Sequence, residues 1–264
     1  MTDHVLSDRG DRIAVDLLGD GPALVFVSGA GPHRAIDPGT TATAGLLAGL
    51  GVRTAVYDRP GRGESPADGT LDLDRDMAAL RAVIEAVGAP AVLCGHSSGC
   101  AIALRAAVDG LPVLGVAMFE APLATDAEDA AAWAAEFERL LDAGDVEAAT
   151  VCFMRDMPPE WLAGVQASPI WPDIAAGARS QRADAQVLAW ATAALRDGGL
   201  DKVPVPVLAT YGTTTFDEMP VAADAVVAAV PDGRVTAVAG ADHEWQPPAM
   251  AEVLRAFVAE CTAR

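Results

Sequence analysis

The densest chemical signal in the 264-residue chain is Gly95-His96-Ser97-Ser98-Gly99, directly after the apolar run AVLC and directly before the helical stretch CAIALRAAV. A strand that turns abruptly into a helix forces the middle residue of such a G-x-S-x-G run into a strained backbone and projects its side chain from the end of a sheet. The flanking glycines allow the close approach that this turn requires. Ser97 is therefore the candidate nucleophile. A serine hydroxyl is weak until a histidine takes its proton, and on a strand-turn-helix scaffold of this sort that histidine comes last along the chain. His4 and His33 precede Ser97, and His96 adjoins it with its side chain directed elsewhere, so His96 reads as structural. His243, in the loop AGADHEWQP, is left as the base.

A third group must orient the imidazole, and two carboxylates are candidates. Glu120 ends the run VLGVAMF, 23 residues after Ser97, the span of one helix and one strand. The carboxyl end of such a strand faces the crevice where ligands bind in open parallel sheets. Asp217, in YGTTTFDEMP, could reach the histidine only if its loop bulged. Glu120 is preferred, and its extra methylene lengthens its reach. The oxyanion of a tetrahedral intermediate needs backbone N–H groups already in place. Ser98 supplies one, and Ser28-Gly29-Ala30-Gly31, after ALVFV, supplies the other through Gly29 or Ala30, with Gly29 preferred. The same loop is a poor phosphate cradle, with no following Lys and no G-x-G-x-x-G. No metal-ligand spacing is visible, and neither a metal nor another cofactor is expected.

These residues need a scaffold. Apolar, β-branched runs at Arg12–Leu18, Ala23–Val27, Arg53–Tyr57, Ala91–Cys94, Val113–Phe119, Val205–Tyr211 and Arg234–Val238 read as strands. Helical patterns lie between several of them, the clearest being Leu73, Met77, Leu80, Ile84 and Val87, closed by Gly88. A last helix after Pro247-Pro248 presents Val253, Leu254, Phe257, Val258 and Cys261 on one face. Alternating strands and helices predict an α/β fold with a mostly parallel sheet covered on both sides. Residues 122–201 interrupt the rhythm. They carry Ala/Glu-rich helical stretch, a segment with Pro158, Pro159, Trp161, Pro169, Trp171 and Pro172, and four of the five tryptophans (Trp133, Trp161, Trp171, Trp190). This interval reads as an inserted helical cap between two parts of one core, 1–121 and 202–264. Each tryptophan serves either an apolar lid or plain packing. The loop Asp58-Arg59-Pro60-Gly61-Arg62-Gly63-Glu64-Ser65 is the other dense motif, and its arginines make it tempting as an anion site.

Composition narrows the partners. With 18 Lys+Arg against 37 Asp+Glu the net charge is −19, which repels nucleic acid and anionic membrane surfaces. No apolar run approaches the roughly 18 residues of a membrane span, and MTDHVLSDRGDR lacks a secretory apolar stretch, so the expected location is the cytoplasm. Cys94, Cys100, Cys152 and Cys261 have no C-x-x-C spacing and read as free thiols. Oligomeric state is left open, a homo-oligomer included.

TAVYDRPGRGES, GHSSG and GADHE together resemble the α/β-hydrolase superfamily, with order and spacing that cover both core segments. The resemblance implies an eight-stranded sheet and a serine hydrolase, and it makes the Asp58–Ser65 loop structural rather than an anion site, its glycines turning the chain and its Asp and Arg tying neighbouring loops together. In that pattern an acid usually stands three residues after the glycine of YGTTTFDEMP, and here that position is Thr215. More narrowly, GHSSG, the glutamate of MFEAP, SPIWPD within the cap and the missing acid are similar to the zearalenone lactonases, which open a macrocyclic resorcylic lactone. That similarity implies a Ser97, Glu120, His243 triad, an oxyanion hole from Gly29 and Ser98, and a substrate-facing Trp171. The cap departs from it, since FMRDMPPEW matches only loosely. Ala30, Met154, Trp171 and Phe216 are the expected apolar pocket edges, and the expected partner is a small apolar ester or lactone. Carbon–carbon bond hydrolases, thioesterases and triad-retaining receptors are the rival readings on the same fold.

Overall fold

Strand alternation gives the central sheet two buried faces. Leu24 and Phe26 point to one side, Ala23, Val25 and Val27 to the other, and all five are buried. The computed structural model describes residues 2–123, 127–157 and 159–264. Its strands are β1 (Asp3–Leu6), β2 (Arg12–Leu18), β3 (Ala23–Val27), β4 (Arg53–Tyr57), β5 (Ala91–His96), β6 (Val113–Phe119), β7 (Val207–Thr214), β8 (Gly233–Ala241) and β9 (Glu244–Trp245). They form one sheet in the order β1-β2-β4-β3-β5-β6-β7-β8-β9. The run from β4 through β8 is parallel, and β1, β2 and β9 are antiparallel to their neighbours.

The sheet thus has nine strands where eight are expected. The additions lie at the two ends of the sheet. β1 is mostly exposed and carries no apolar alternation, and β9 has two residues, too few for any periodicity. The seven strands read from apolar runs are all present, with β5, β7 and β8 extending further at their carboxyl ends.

Helices α1 (Pro38–Gly49) and α10 (Pro247–Thr262) cover one face, α10 burying Leu254, Phe257, Val258 and Cys261. On the other face lie α2 (Leu73–Val87) and α3 (Ser98–Val108). α2 has the predicted bounds: the Asp72 carboxylate accepts from the Arg75 N–H at 3.0 Å, and Gly88 ends the helix in a left-handed conformation (φ 107°). Between β6 and β7 come α4 (Ala127–Asp142), α5 (Val146–Phe153), α6 (Pro159–Gln166), α7 (Trp171–Gly177) and α8 (Arg182–Asp197), with no strand among the described residues of that interval. Residues 124–126 and Pro158, which fall within the segment read as a cap, lie outside the described residues. The segment has a core of its own, where Trp133 packs with Phe137 and Phe153. α8 faces two ways, adding Ala183, Val187, Ala191 and Ala194 to the main core beside α3. α9 (Glu218–Ala229) completes the chain between β7 and β8. No described helix is long and apolar enough to cross a membrane.

Two glycines test this packing. A Cβ on Gly99 would stand 2.1 Å from the Val27 carbonyl oxygen, a backbone atom that cannot move aside, whereas one on Gly45, exposed within α1, would meet nothing within 4 Å. Gly99→Ala should lose about 3 kcal/mol of stability, the upper end for overpacking. Gly45→Ala should gain about 0.4 to 1 kcal/mol by restricting the unfolded chain. Urea denaturation curves of both variants check the pair.

Candidate active site

Ser97 joins β5 to α3 with φ 54° and ψ −128°, and its N–H is held by the Phe119 carbonyl at 2.9 Å. L-residues rarely adopt such a conformation, at a cost of about 1–3 kcal/mol. Among the described residues, only four non-glycines have positive φ: Ser97, Glu120 (50°), Asp242 (53°) and His243 (64°). All three residues singled out for chemistry are in this set.

Their carriers are the ends of three strands on the same edge of the parallel sheet. Ser97 follows β5, Glu120 follows β6, and His243 sits between β8 and β9. A carboxylate after β6 must cross the end of β7 to meet a histidine after β8. It does so at Gly212, where a Cβ would stand 3.0 Å from Glu120 Oε1, and the Gly212 N–H donates to that oxygen at 2.9 Å. The other oxygen, Oε2, accepts from His243 Nδ1 at 2.6 Å. The Glu120 side chain is fully buried, and burial alone would raise its pKa. The His243 bond, the nearby Thr215 hydroxyl and the Gly212 N–H outweigh burial and hold the carboxyl below its ordinary range. Thr215 helps by its dipole; its buried hydroxyl does not close a hydrogen bond of good geometry. Asp217, the rival acid, is exposed beside the start of α9 and makes no hydrogen bond to His243. With Nδ1–H committed to Glu120, the Nε2 lone pair of His243 is free to take a proton. Ser97 Oγ is not hydrogen-bonded to His243 here; such contacts often tighten only with substrate bound.

His96 performs a structural task closer to the chemistry than its sequence position suggests. Its Nε2–H donates to the His243 carbonyl at 2.9 Å, and its ring lies 4.8 Å from the His243 ring and 5.1 Å from that of Trp245. Trp245 is anchored through its indole N–H to Thr43 Oγ1 at 2.8 Å. Burial first, and then the neighbouring His243, lower the His96 pKa to about 4.

Gly29 packs against the serine: a Cβ there would meet Ser97 Cβ at 2.8 Å and the His96 carbonyl at 2.9 Å. Among the described residues, neither the Gly29 nor the Ala30 N–H has an acceptor. The Ser98 N–H opens α3, where helix geometry leaves it without an intrahelical partner. Gly29, packed against Ser97, and Ser98, next to it in the chain, thus each carry an N–H with no backbone acceptor among the described residues. The loop from Asp58 to Ser65 ties neighbouring loops together, as its arginines suggest: Arg59 donates to the Ser28 carbonyl at 3.1 Å and Arg62 donates to that of Gly29.

The predicted pocket edges are spread more widely. Ala30 lies in the turn after β3, Met154 follows α5, Trp171 opens α7 and Phe216 precedes α9, all partly buried. No hydrogen bond or ring contact joins Met154 or Trp171 to Ser97, Glu120 or His243 among the described residues. The aromatic partner of Phe216 is Trp161, 5.8 Å away in an edge-to-face contact across the α6 boundary. Trp161 was visible as one of the four tryptophans, but nothing in the spacing pairs it with Phe216. Trp133 is packing, and Trp190 lies under Arg105 at 5.1 Å. A water-sized space of about 10 Å³ beside His33 and His96 and a polar cleft of about 330 Å³ beside Asp72, Arg105 and Trp190 both lack Ser97, Glu120 and His243 in their walls.

Comparison with known proteins agrees with this architecture. Residues 24–256 match the Alpha/beta hydrolase family, and the chain belongs to it. An alpha/beta hydrolase from Sphaerobacter thermophilus is 30% identical, with a TM-score of 0.80 over 97% of this chain and 99% of its own. A thermophilic esterase from Thermogutta terrifontis (18% identity, TM-score 0.70, 99% of each chain) and an epoxide hydrolase from Vigna radiata (16%, 0.67, 98% of each) share the fold. No curated protein matches the sequence.

A pH dependence follows from His96. The folded protein keeps it neutral down to about pH 4, while the unfolded chain protonates it near 6.5. Its contribution is therefore complete above pH 6.5 and is lost as pH falls from there to about 4, in all about 3 kcal/mol. Glu120, lowered from 4.5, adds a loss in the same direction at more acid pH. Unfolding free energy measured between pH 7 and 5 should fall less steeply for His96→Gln than for the wild type, by about two-thirds of a proton on average over that range; parallel slopes would contradict the assignment.

Proposed function

We propose that the chain is a serine hydrolase that cleaves a carboxylic ester or lactone through an acyl-enzyme, with no cofactor. Ser97 Oγ attacks the carbonyl carbon while His243 Nε2 takes its proton. Glu120 keeps that imidazole in the required tautomer and stabilises its charged form. The oxyanion is met by the Ser98 N–H and by that of Gly29 or Ala30. His243 then returns the proton to the leaving alkoxide, and the same groups deliver water to the acyl-enzyme. The observation that carries this reading is the 2.6 Å bond from His243 Nδ1 to a buried carboxylate, with Ser97, Glu120 and His243 all in left-handed backbone. Epoxide opening on this fold uses an aspartate where Ser97 stands.

The finer substrate reading is a neutral, aromatic-bearing lactone of the zearalenone type. It is bound between the core, 1–121 and 202–264, and the helical segment 122–201 acting as a cap. The SPIWPD and MFEAP resemblance supports it, as does the apolar, partly buried character of Ala30, Met154, Trp171 and Phe216. The Trp161–Phe216 pair adds a further aromatic edge.

A fluorophosphonate should label one site per chain, and Ser97→Ala should abolish labelling; an unlabelled wild type at neutral pH would end the proposal. Glu120→Gln should lower kcat by about 10⁴-fold while the protein stays folded. Asp217→Asn should leave kcat within about twofold, and the reverse pattern would reassign the acid. Turnover of zearalenone should exceed that of small open-chain aryl esters, read as addition of one water by mass spectrometry. Trp171→Ala should raise KM for the lactone about two- to tenfold. Preference for small esters with an unchanged KM would leave a general esterase.

A further inference from the structure

We propose that Asp184 is a positioning residue for both halves of the oxyanion hole, holding Ser98 through its hydroxyl and the Ser28–Ala30 turn through Arg59 and Arg62. The inference rests on the serine-hydrolase reading and assigns a task to a carboxylate from α8, a helix of the segment between β6 and β7.

Asp184 is wholly buried, as are the guanidinium groups it faces. Its Oδ1 accepts from Ser98 Oγ at 2.7 Å and from Arg59 at 2.6 Å, and its Oδ2 accepts from Arg62 at 2.6 Å. Asp76 of α2 takes the remaining side of Arg59, so two cations and two anions balance. Arg62 is further held by Ser180, through the hydroxyl at 3.2 Å and the carbonyl at 3.0 Å. The free donors of the two guanidinium groups then reach the oxyanion loop. Arg59 donates to the carbonyls of Ser28 and Gly29 at 3.1 and 3.3 Å, and Arg62 also donates to that of Gly29.

The consequence is geometric. In a trans peptide the C=O and the N–H point in opposite directions. Drawing the Ser28 carbonyl towards the arginines turns the Gly29 N–H away from them. Drawing the Gly29 carbonyl the same way turns away the Ala30 N–H. Neither N–H has an acceptor among the described residues, and both belong to a turn whose glycine Cα lies against Ser97. The same carboxylate fixes Ser98, whose N–H is the other donor. A buried ion cluster is a poor source of net stability compared with apolar packing, but it specifies direction, and catalysis by preformed donors depends on direction. Burial would raise the Asp184 pKa, yet Arg59 and Arg62 hold it below the usual carboxylate range, so Asp184 keeps its charge at neutral pH.

The test uses the full chain with a p-nitrophenyl ester and two inhibitors: an aryl boronic acid, which forms a tetrahedral adduct on the serine, and the product carboxylate, which does not. Ser98→Ala, Asp184→Asn, Arg62→Lys and Arg62→Met are compared. Losses should be smallest for Ser98→Ala, which keeps the backbone donor, and should reach about 10- to 100-fold in kcat for Arg62→Met, with Arg62→Lys between them and KM within about threefold. Across the series the boronate affinity should fall in proportion to kcat/KM, while product affinity stays constant. If the Asp184 and Arg62→Met variants do not fold, Ser98→Ala and Arg62→Lys carry the test. Folded variants with lowered melting temperature but unchanged kcat and boronate affinity would overturn the proposal and leave the cluster a structural one. A wild type that neither turns over the ester nor binds boronate would instead overturn the serine-hydrolase reading, and this inference with it.

Discussion

A serine can stand clear of a sheet, beside two or three unpaired N–H groups, only if its own backbone turns back at the strand end, and the left-handed conformation of Ser97 is that turn. It costs about 1–3 kcal/mol and persists because its surroundings leave no alternative. β5 lies in the middle of the sheet with Leu93 and Cys94 buried on opposite faces. Gly95 and Gly99 have no room for a Cβ against Cys100 and Val27, and Gly29 has none against Ser97 itself. The three glycines around Ser97 therefore answer one steric demand, and the core on either side of the sheet supplies the stability that the turn consumes.

Once the serine is fixed, the other groups follow from strand order. With β6, β7 and β8 ranged beside β5, an acid after β6 has to cross β7, and it needs both a long side chain and an empty place to cross. Glu120 supplies the first and Gly212 the second. His243 is held from behind by His96, whose proton is committed to the His243 carbonyl and whose ring is wedged between Phe119 and Trp245. The imidazole is thus braced at its Nδ1 and at its backbone, and only Nε2 is left for chemistry. The segment between β6 and β7 joins this system through α8, which packs on α3 and sends Asp184 to Ser98 and to the arginines that hold the Ser28–Ala30 turn. Any movement of that helix would be felt at Ser98.

The sequence was most readable where function is carried by a turn. GHSSG between an apolar run and a helical run marked Ser97, which the structure holds at positive φ, and elimination among four histidines picked out His243, which the structure bonds to Glu120. Local periodicity also found the seven central strands, the bounds of α2 and the apolar face of α10. It missed β1 and β9 because an exposed four-residue strand and a two-residue strand leave no periodic trace. The arginine cluster was hidden for a different reason. Arg59 and Arg62 were visible in a dense motif, but their partner Asp184 lies 125 and 122 residues away in an alanine-rich helix with nothing to mark it. A local pattern reports which residues must turn, and long-range pairing of charges has no local pattern. The Trp161–Phe216 contact was invisible for the same reason.

The central claim is that Ser97 becomes covalently acylated during turnover. Its most direct test is rapid-quench intact-mass spectrometry on the wild-type chain reacting with an activated aryl ester, followed by peptide mapping. The account predicts a transient species heavier by the acyl group minus one hydrogen, located on the peptide containing Ser97 and decaying as product acid appears. Turnover that continues with no such species under conditions where deacylation is slowed, or an adduct on another residue, would contradict it.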